Sequence, residues 1–98
     1  MLGLLTGKSK KIKQFIQEDA TIIDVRTKTE YEGGHLRTSK NIPMDSIPSY
    51  MGQLDKTKPI ITCCASGMRS GQVKRMLKAQ GFKVMNGGGW MSLEKYGL

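Results

Sequence analysis

The sequence predicts a small α/β domain, a mostly parallel sheet flanked by helices on both faces. Three observations carry this. The hydrophobic spacing switches repeatedly between a helical and a strand-like period. Two short β-branched runs, 21–25 (T-I-I-D-V) and 59–63 (P-I-I-T-C), are nearly continuous in apolar residues, as strands covered on both faces are. Helical stretches fall between the strand candidates, the order that builds parallel sheets.

Taken in order, residues 8–18 place Ile12, Phe15 and Ile16 at i, i+3, i+4 with lysines and glutamines elsewhere, an amphipathic helix. The run 21–25 is the first strand. Thr27-Lys28-Thr29-Glu30 fits a capping box, so a brief helix starts there and ends at Gly33-Gly34. Asn41-Ile42-Pro43 reads as a short strand stopped by proline, and 45–54 as a weakly patterned helix. The run 59–63 is the second buried strand, and a loop covers 64–69. Residues 70–80 form a helix with Val73, Met76 and Leu77 on one face and Lys74, Arg75 and Lys78 on the other, capped by Gly81. Residues 82–85 read as the last strand, 86–89 as a turn and 90–96 as a final short helix. No repeat, low-complexity tract or linker divides the chain, so residues 1–98 read as one domain.

Composition narrows the function classes. The 98 residues carry 16 Lys+Arg against 8 Asp+Glu, a formal charge of +8 that favours anionic partners. No apolar run approaches the roughly 18 residues of a membrane span. Met1-Leu2-Gly3-Leu4-Leu5 precedes Lys8, Lys10, Lys11 and Lys13, the reverse of the order in a secretory signal, so the expectation is a cytoplasmic protein whose Leu-rich start packs on the domain. The basic residues lack interleaved aromatic side chains that would stack on bases, so nucleic acid is not the expected partner; with no span-length apolar run and only a five-residue apolar start, neither is a membrane. Cys63 and Cys64 are adjacent, which does not suit a disulfide framework, and with His35 the only histidine no ligand set is spaced for a metal. A thiol used for reactivity, or as core filler, is left.

The segment that carries chemistry is Cys64-Ala65-Ser66-Gly67-Met68-Arg69-Ser70, following the second buried strand. Ligands of parallel α/β sheets bind beyond the carboxyl ends of the strands. A cysteine there meets inward-turned loop amides and the start of the next helix, and both favour thiolate over thiol. Ala65, Ser66 and Gly67 are small enough for a tight curl, and Gly67 can take a positive φ.

This segment resembles the active-site loop of the rhodanese (thiosulfate sulfurtransferase) family. Ile23-Asp24-Val25-Arg26, Glu30-Tyr31, Gly34-His35-Leu36 and Asn41-Ile42-Pro43 resemble the family's N-terminal signature in order and spacing. Asn86-Gly87-Gly88-Gly89-Trp90 resembles its glycine turn, so the likeness is strongest over 21–93. The resemblance implies a single rhodanese-like domain that takes a sulfane sulfur, from thiosulfate or another persulfide donor, onto Cys64. The sulfur then passes to cyanide or a thiol, with no metal or organic cofactor. It implies Cys64 as nucleophile; the residues themselves suggest Ala65, Ser66, Gly67, Met68 and Arg69 as the anion-binding loop, and Asp24, Arg26 and Ser70 as structural support. Arg69 is expected to stabilise charge or brace the loop, Asp24 to brace the loop, and Arg26 to pair with Glu30. Met68 gives the rim an apolar side suited to a thiol or an acidic acceptor protein.

Two other readings use the same letters. Cys63-x5-Arg69-Ser70 has the spacing of cysteine-dependent phosphatases, but Thr62 and Ser66 stand where that pattern carries His and Gly, which favours Cys64. A domain that relays persulfide sulfur without turnover on small donors is the non-enzymatic alternative. Cys63 is expected to be a buried strand residue, with a redox partnership to Cys64 as the sharper possibility. His35 is expected to be a satisfied loop histidine rather than a base, and Trp90 to pack where the last helix begins.

Overall fold

Helix α1 (Gly7–Gln17) opens the computed structural model, which describes residues 7–98. The apolar start, residues 1–5, expected to pack on the domain, lies outside the described residues. Ile12 and Phe15 bury the apolar stripe of α1 while Lys8, Lys10, Lys11 and Lys13 stay on its outer faces. The chain reverses through residues 18–20, where the Ala20 amide donates to the Phe15 carbonyl at 3.0 Å, and enters β1 (Thr21–Asp24). So short a connection makes α1 antiparallel to β1, and its first turn stands at the end of the sheet where the strands finish.

The capping box at Thr27 forms as expected: the Glu30 amide donates to Thr27 Oγ1, and Glu30 Oε1 accepts from the Thr27 amide. Helix α2 (Lys28–Glu32) follows and ends at Gly33. Strand β2 (Ser39–Asn41) lies two residues earlier than the sequence suggests; Pro43, without an N–H, starts the next turn instead of extending the ladder. The expected helix over 45–54 is three short pieces: a 3-10 turn at Met44–Ser46, α3 (Ile47–Tyr50) and a 3-10 turn at Met51–Gln53. Pro48 is compatible only with a first helical turn, so it begins a new helix rather than prolonging one from Met44.

Strand β3 (Ile60–Cys64) is buried along its whole length. Helix α4 (Met68–Ala79) starts two residues before the expected Ser70, because Gly67 at φ 102° turns the chain directly into it. Strand β4 (Val84–Gly89) corrects the reading of 86–89 as a turn. Thr62 pairs with Asn86 and Cys64 with Gly89 across an irregular register, and Gly88 at φ 87° is the residue that lets the strand bulge. The glycines serve close approach: a Cβ on Gly87 would stand 2.8 Å from Ile61 Cγ2 and 2.9 Å from the Thr62 carbonyl oxygen. A 3-10 helix, Trp90–Tyr96, ends the fold.

The sheet order is β2-β1-β3-β4 and every pairing is parallel. Side-chain alternation splits the core in two. Ile23, Val25, Ile60, Cys64 and Val84 face α4 and the 44–53 segment, with Val73, Leu77 and Ile47; Ile22, Ile61, Cys63 and Met85 face α1 and the last 3-10 helix, with Phe15 and Leu93. Helices thus cover both faces. From β1 the chain moves to β2 on one side, and from β3 to β4 on the other, so the strand order reverses between β1 and β3. The crevice above that reversal is where a parallel sheet accepts ligands.

Candidate active site

Cys64 is the last residue of β3, at the mouth of that crevice. Its Sγ accepts from the Gly67 amide at 3.0 Å, the Ser70 amide at 3.5 Å and the Ser70 hydroxyl at 3.3 Å. Burial alone would push the thiol up. The Ser70 hydroxyl and the Ser70, Gly67 and Ser66 amides outweigh it, and the thiol lies below its ordinary value. The start of α4 adds its positive end to the same point. These donors favour the thiolate, the nucleophilic form of cysteine, beside a solvent-facing loop.

Cys63, one peptide bond away, is its opposite. Its side chain lies on the other face of the sheet, fully buried, and burial with the nearby Asp24 carboxylate pushes its thiol up to about 12. A phosphatase nucleophile at Cys63 would have no loop amides facing its sulfur. A Cys63–Cys64 disulfide requires β3 to leave the sheet, because neighbours in a strand point to opposite sides. The redox partnership the sequence leaves open would therefore need the end of β3 to rearrange first.

A framework from three elements holds the loop. Asn86 on β4 donates from Nδ2 to the Gly67 carbonyl at 2.9 Å, while its Oδ1 accepts from Ser70 Oγ at 2.7 Å and from the Gly88 amide at 2.9 Å. Thr62, buried in β3, donates to the Ser70 carbonyl at 2.9 Å. Arg69 makes two bonds to the Glu30 carboxylate, at 2.7 and 3.0 Å, tying the start of α4 to the cap of α2. That pair holds the Glu30 carboxyl down at about 2.

A model of the rhodanese-like domain matches residues 9–94. The chain belongs to the rhodanese-like domain family. Among its relatives, YtwF of Bacillus subtilis (strain 168) is 42% identical over 78 residues, covering 79% of this chain and 76% of that protein. A sulfurtransferase of Allochromatium vinosum is 34% identical over 83 residues, 83% of this chain and 78% of that one. Among solved structures, a rhodanese-like domain protein from Staphylococcus aureus superposes with a TM-score of 0.72 at 34% identity, covering 85% of this chain and 83% of that one.

Within this rhodanese-like domain, Arg26 does not pair with the Glu30 carboxylate as the sequence suggests. Its guanidinium lies on Asp24, with bonds of 2.8 to 3.0 Å, and donates to the carbonyls of Gly34 at 2.7 Å and Glu30 at 3.3 Å. The Trp90 ring covers it at 4.7 Å. The reason is proximity: Asp24 and Arg26 flank Val25 on the strand exit, so Arg26 reaches Asp24 first and leaves Glu30 to Arg69. Asp24 thus makes its bonds to Arg26, not to the 64–69 loop. His35 is exposed, stacks on Tyr31 at 3.7 Å and bonds the Tyr31 carbonyl through Nδ1 at 2.7 Å. Asn86, Glu30 and Thr62 are the site-building residues sequence reasoning missed. Asn86 before three glycines and Glu30 in the capping box carried local signals, but neither signal pointed to the loop each one holds. Among the described residues no cluster of three or more His, Cys, Asp or Glu groups could hold a metal ion, and no helix is long and apolar enough to cross a membrane.

Proposed function

We propose that the chain is a sulfurtransferase that carries sulfane sulfur as a persulfide on Cys64. The observation that supports this most is the Cys64 sulfur itself, depressed in pKa and facing the Gly67 and Ser70 amides and the Ser70 hydroxyl. With thiosulfate, the Cys64 thiolate attacks the outer sulfur. The new bond is Sγ–S, the bond broken is the S–S bond of thiosulfate, and its electron pair leaves on sulfite. The terminal sulfur of the persulfide is anionic, and the loop amides are the donors nearest to it. Cyanide or an acceptor thiolate then attacks that terminal sulfur, and the Sγ–S pair returns to Cys64. Each half is a nucleophilic displacement in which no electrons are gained or lost overall.

The surplus positive charge and exposed Met68 and Met91 fit a thiol acceptor carried on an acidic protein, in a reducing, cytoplasmic setting. Thiocyanate formation from thiosulfate and cyanide tests the reading, alongside mass spectrometry of the intact protein. Wild type and Cys63→Ser are expected to gain one sulfur atom and turn over, and Cys64→Ser to do neither. Absence of any sulfur adduct on Cys64 with a range of sulfane donors would overturn it. So would aryl-phosphate hydrolysis lost in Cys63→Ser but kept in Cys64→Ser.

A further inference from the structure

We propose that Lys8, on the first turn of α1, is the cation that selects anionic sulfur donors at Cys64. The inference rests on Cys64 as the reacting thiol and adds the group that reads the charge of the donor. The loop itself supplies no available side-chain cation. Residues 65–68 are Ala, Ser, Gly and Met, and Arg69 is committed through two bonds to the Glu30 carboxylate. Arg26 is buried and bound to Asp24. Arg75 lies a turn further along α4, with a guanidinium nitrogen 4.0 Å from where a Cβ on Gly71 would stand.

Lys8 comes from the opposite face of the sheet. Because α1 runs antiparallel to β1, its first turn stands where the strands end, and the Lys8 ammonium reaches Gly88: it lies 3.0 Å from where a Cβ on that residue would be. Gly88 in turn touches the loop. A Cβ on Gly67 would be 3.3 Å from Gly88 Cα, and the Gly67 amide bonds the Cys64 sulfur at 3.0 Å. The ammonium thus reaches the backbone of Gly88, which on its other side meets Gly67 of the loop. Among the described residues no carboxylate pairs with Lys8, so its charge is not cancelled locally. A dianionic donor entering the loop gains from this charge, and an uncharged donor does not.

The test compares alkylation of Cys64 by iodoacetate, an anion, and by iodoacetamide, its neutral analogue, at one pH and low salt. The adduct is located by mass spectrometry. In Lys8→Gln the iodoacetate/iodoacetamide rate ratio is expected to fall about three- to fivefold, the size of one partly screened charge near the thiol. Lys58→Gln, an equal charge change on a lysine paired with Asp19, is expected to keep the wild-type ratio. The difference is expected to vanish at about 1 M salt, where the screening length is about 3 Å. The KM for thiosulfate is expected to rise by a similar factor in Lys8→Gln with kcat unchanged. An equal ratio in wild type and both variants overturns the inference, as does an equal fall in both variants, which reports net charge alone. A fall confined to Lys8→Gln in a protein that never loads sulfur upholds Lys8 and removes the sulfurtransferase reading instead.

Discussion

At the scale of single residues, the Ser70 hydroxyl has one proton and two acceptors. It lies 2.7 Å from Asn86 Oδ1 and 3.3 Å from Cys64 Sγ, and can donate to only one at a time. When Cys64 is a neutral thiol the carbonyl oxygen of Asn86 is the better acceptor; when it is a thiolate the charged sulfur competes for the proton. Asn86 thus sets the position of Ser70, and Ser70 stabilises the anion. Hydrogen bonds to charged groups contribute about 1.5–3 kcal/mol, so Ser70→Ala is expected to move the midpoint of the pH–rate profile for Cys64 alkylation by iodoacetamide upward by about one unit or more. The sign follows from the reactive form. Losing a donor to the thiolate raises the pKa, and more alkali is needed for the same reactivity. An unchanged midpoint would remove Ser70 from the account of the nucleophile. Cys64 was legible in the sequence because strand, loop glycine, arginine and helix start lie within a few residues of it. Asn86 was not, because the atoms it holds belong to a loop some twenty residues earlier and only the sheet register brings them together.

At the scale of elements, the Glu30–Arg69 pair couples the cap of α2 to the start of α4 across the crevice. Hydrogen bonds from the Arg69 guanidinium, with the Thr27 amide and hydroxyl, hold the Glu30 carboxyl at about 2 against an ordinary 4.5. A depressed carboxyl contributes its stability above the unfolded value and loses it as pH falls through the folded one. Wild type is expected to resist urea better than Glu30→Gln at neutral pH, with the two converging between about pH 4.5 and 2. A gap that persists at pH 2 would assign the effect to the neutral capping bonds rather than to the ion pair. This coupling also explains which elements were legible. The capping box at Thr27 and the apolar runs of β1 and β3 depend on neighbours along the chain, and they formed within a residue or two of the expected places. β4 did not, because Asn86-Gly87-Gly88-Gly89 has turn chemistry locally and strand pairing only through Thr62 and Cys64. Gly87 answers to the Ile61 side chain and the Thr62 carbonyl, and Gly89 to the Ala65 carbonyl, which no local pattern records. The partner of Arg26 was misjudged for a related reason: helical spacing put Glu30 within reach, while the end of the strand put Asp24 nearer.

At the scale of the whole molecule, the two cysteines report on different events although one peptide bond joins them. Cys64 is buried too, but its sulfur is turned to the amides of the loop, and its thiol is depressed. Cys63 belongs to the core between the sheet and α1, packed among residues such as Ile12, Phe15, Ile61 and Leu93, and its thiol is raised to about 12. Exposing it requires α1 or the last 3-10 helix to leave the sheet, or β3 to leave its neighbours. Those elements share one core, so a local opening that frees Cys63 alone has no obvious boundary. In the native protein near pH 8, iodoacetamide is therefore expected to modify Cys64 fast and Cys63 only through global unfolding. The free energy for opening Cys63, taken from its labelling rate in sub-denaturing urea, is expected to fall with urea at the slope of the global transition. Labelling of Cys63 that is independent of urea would instead show a local opening on the α1 face, and with it a route by which a Cys63–Cys64 disulfide becomes possible. Matching slopes would fix Cys63 as a core residue and leave Cys64 as the thiol available to sulfur donors in the folded protein.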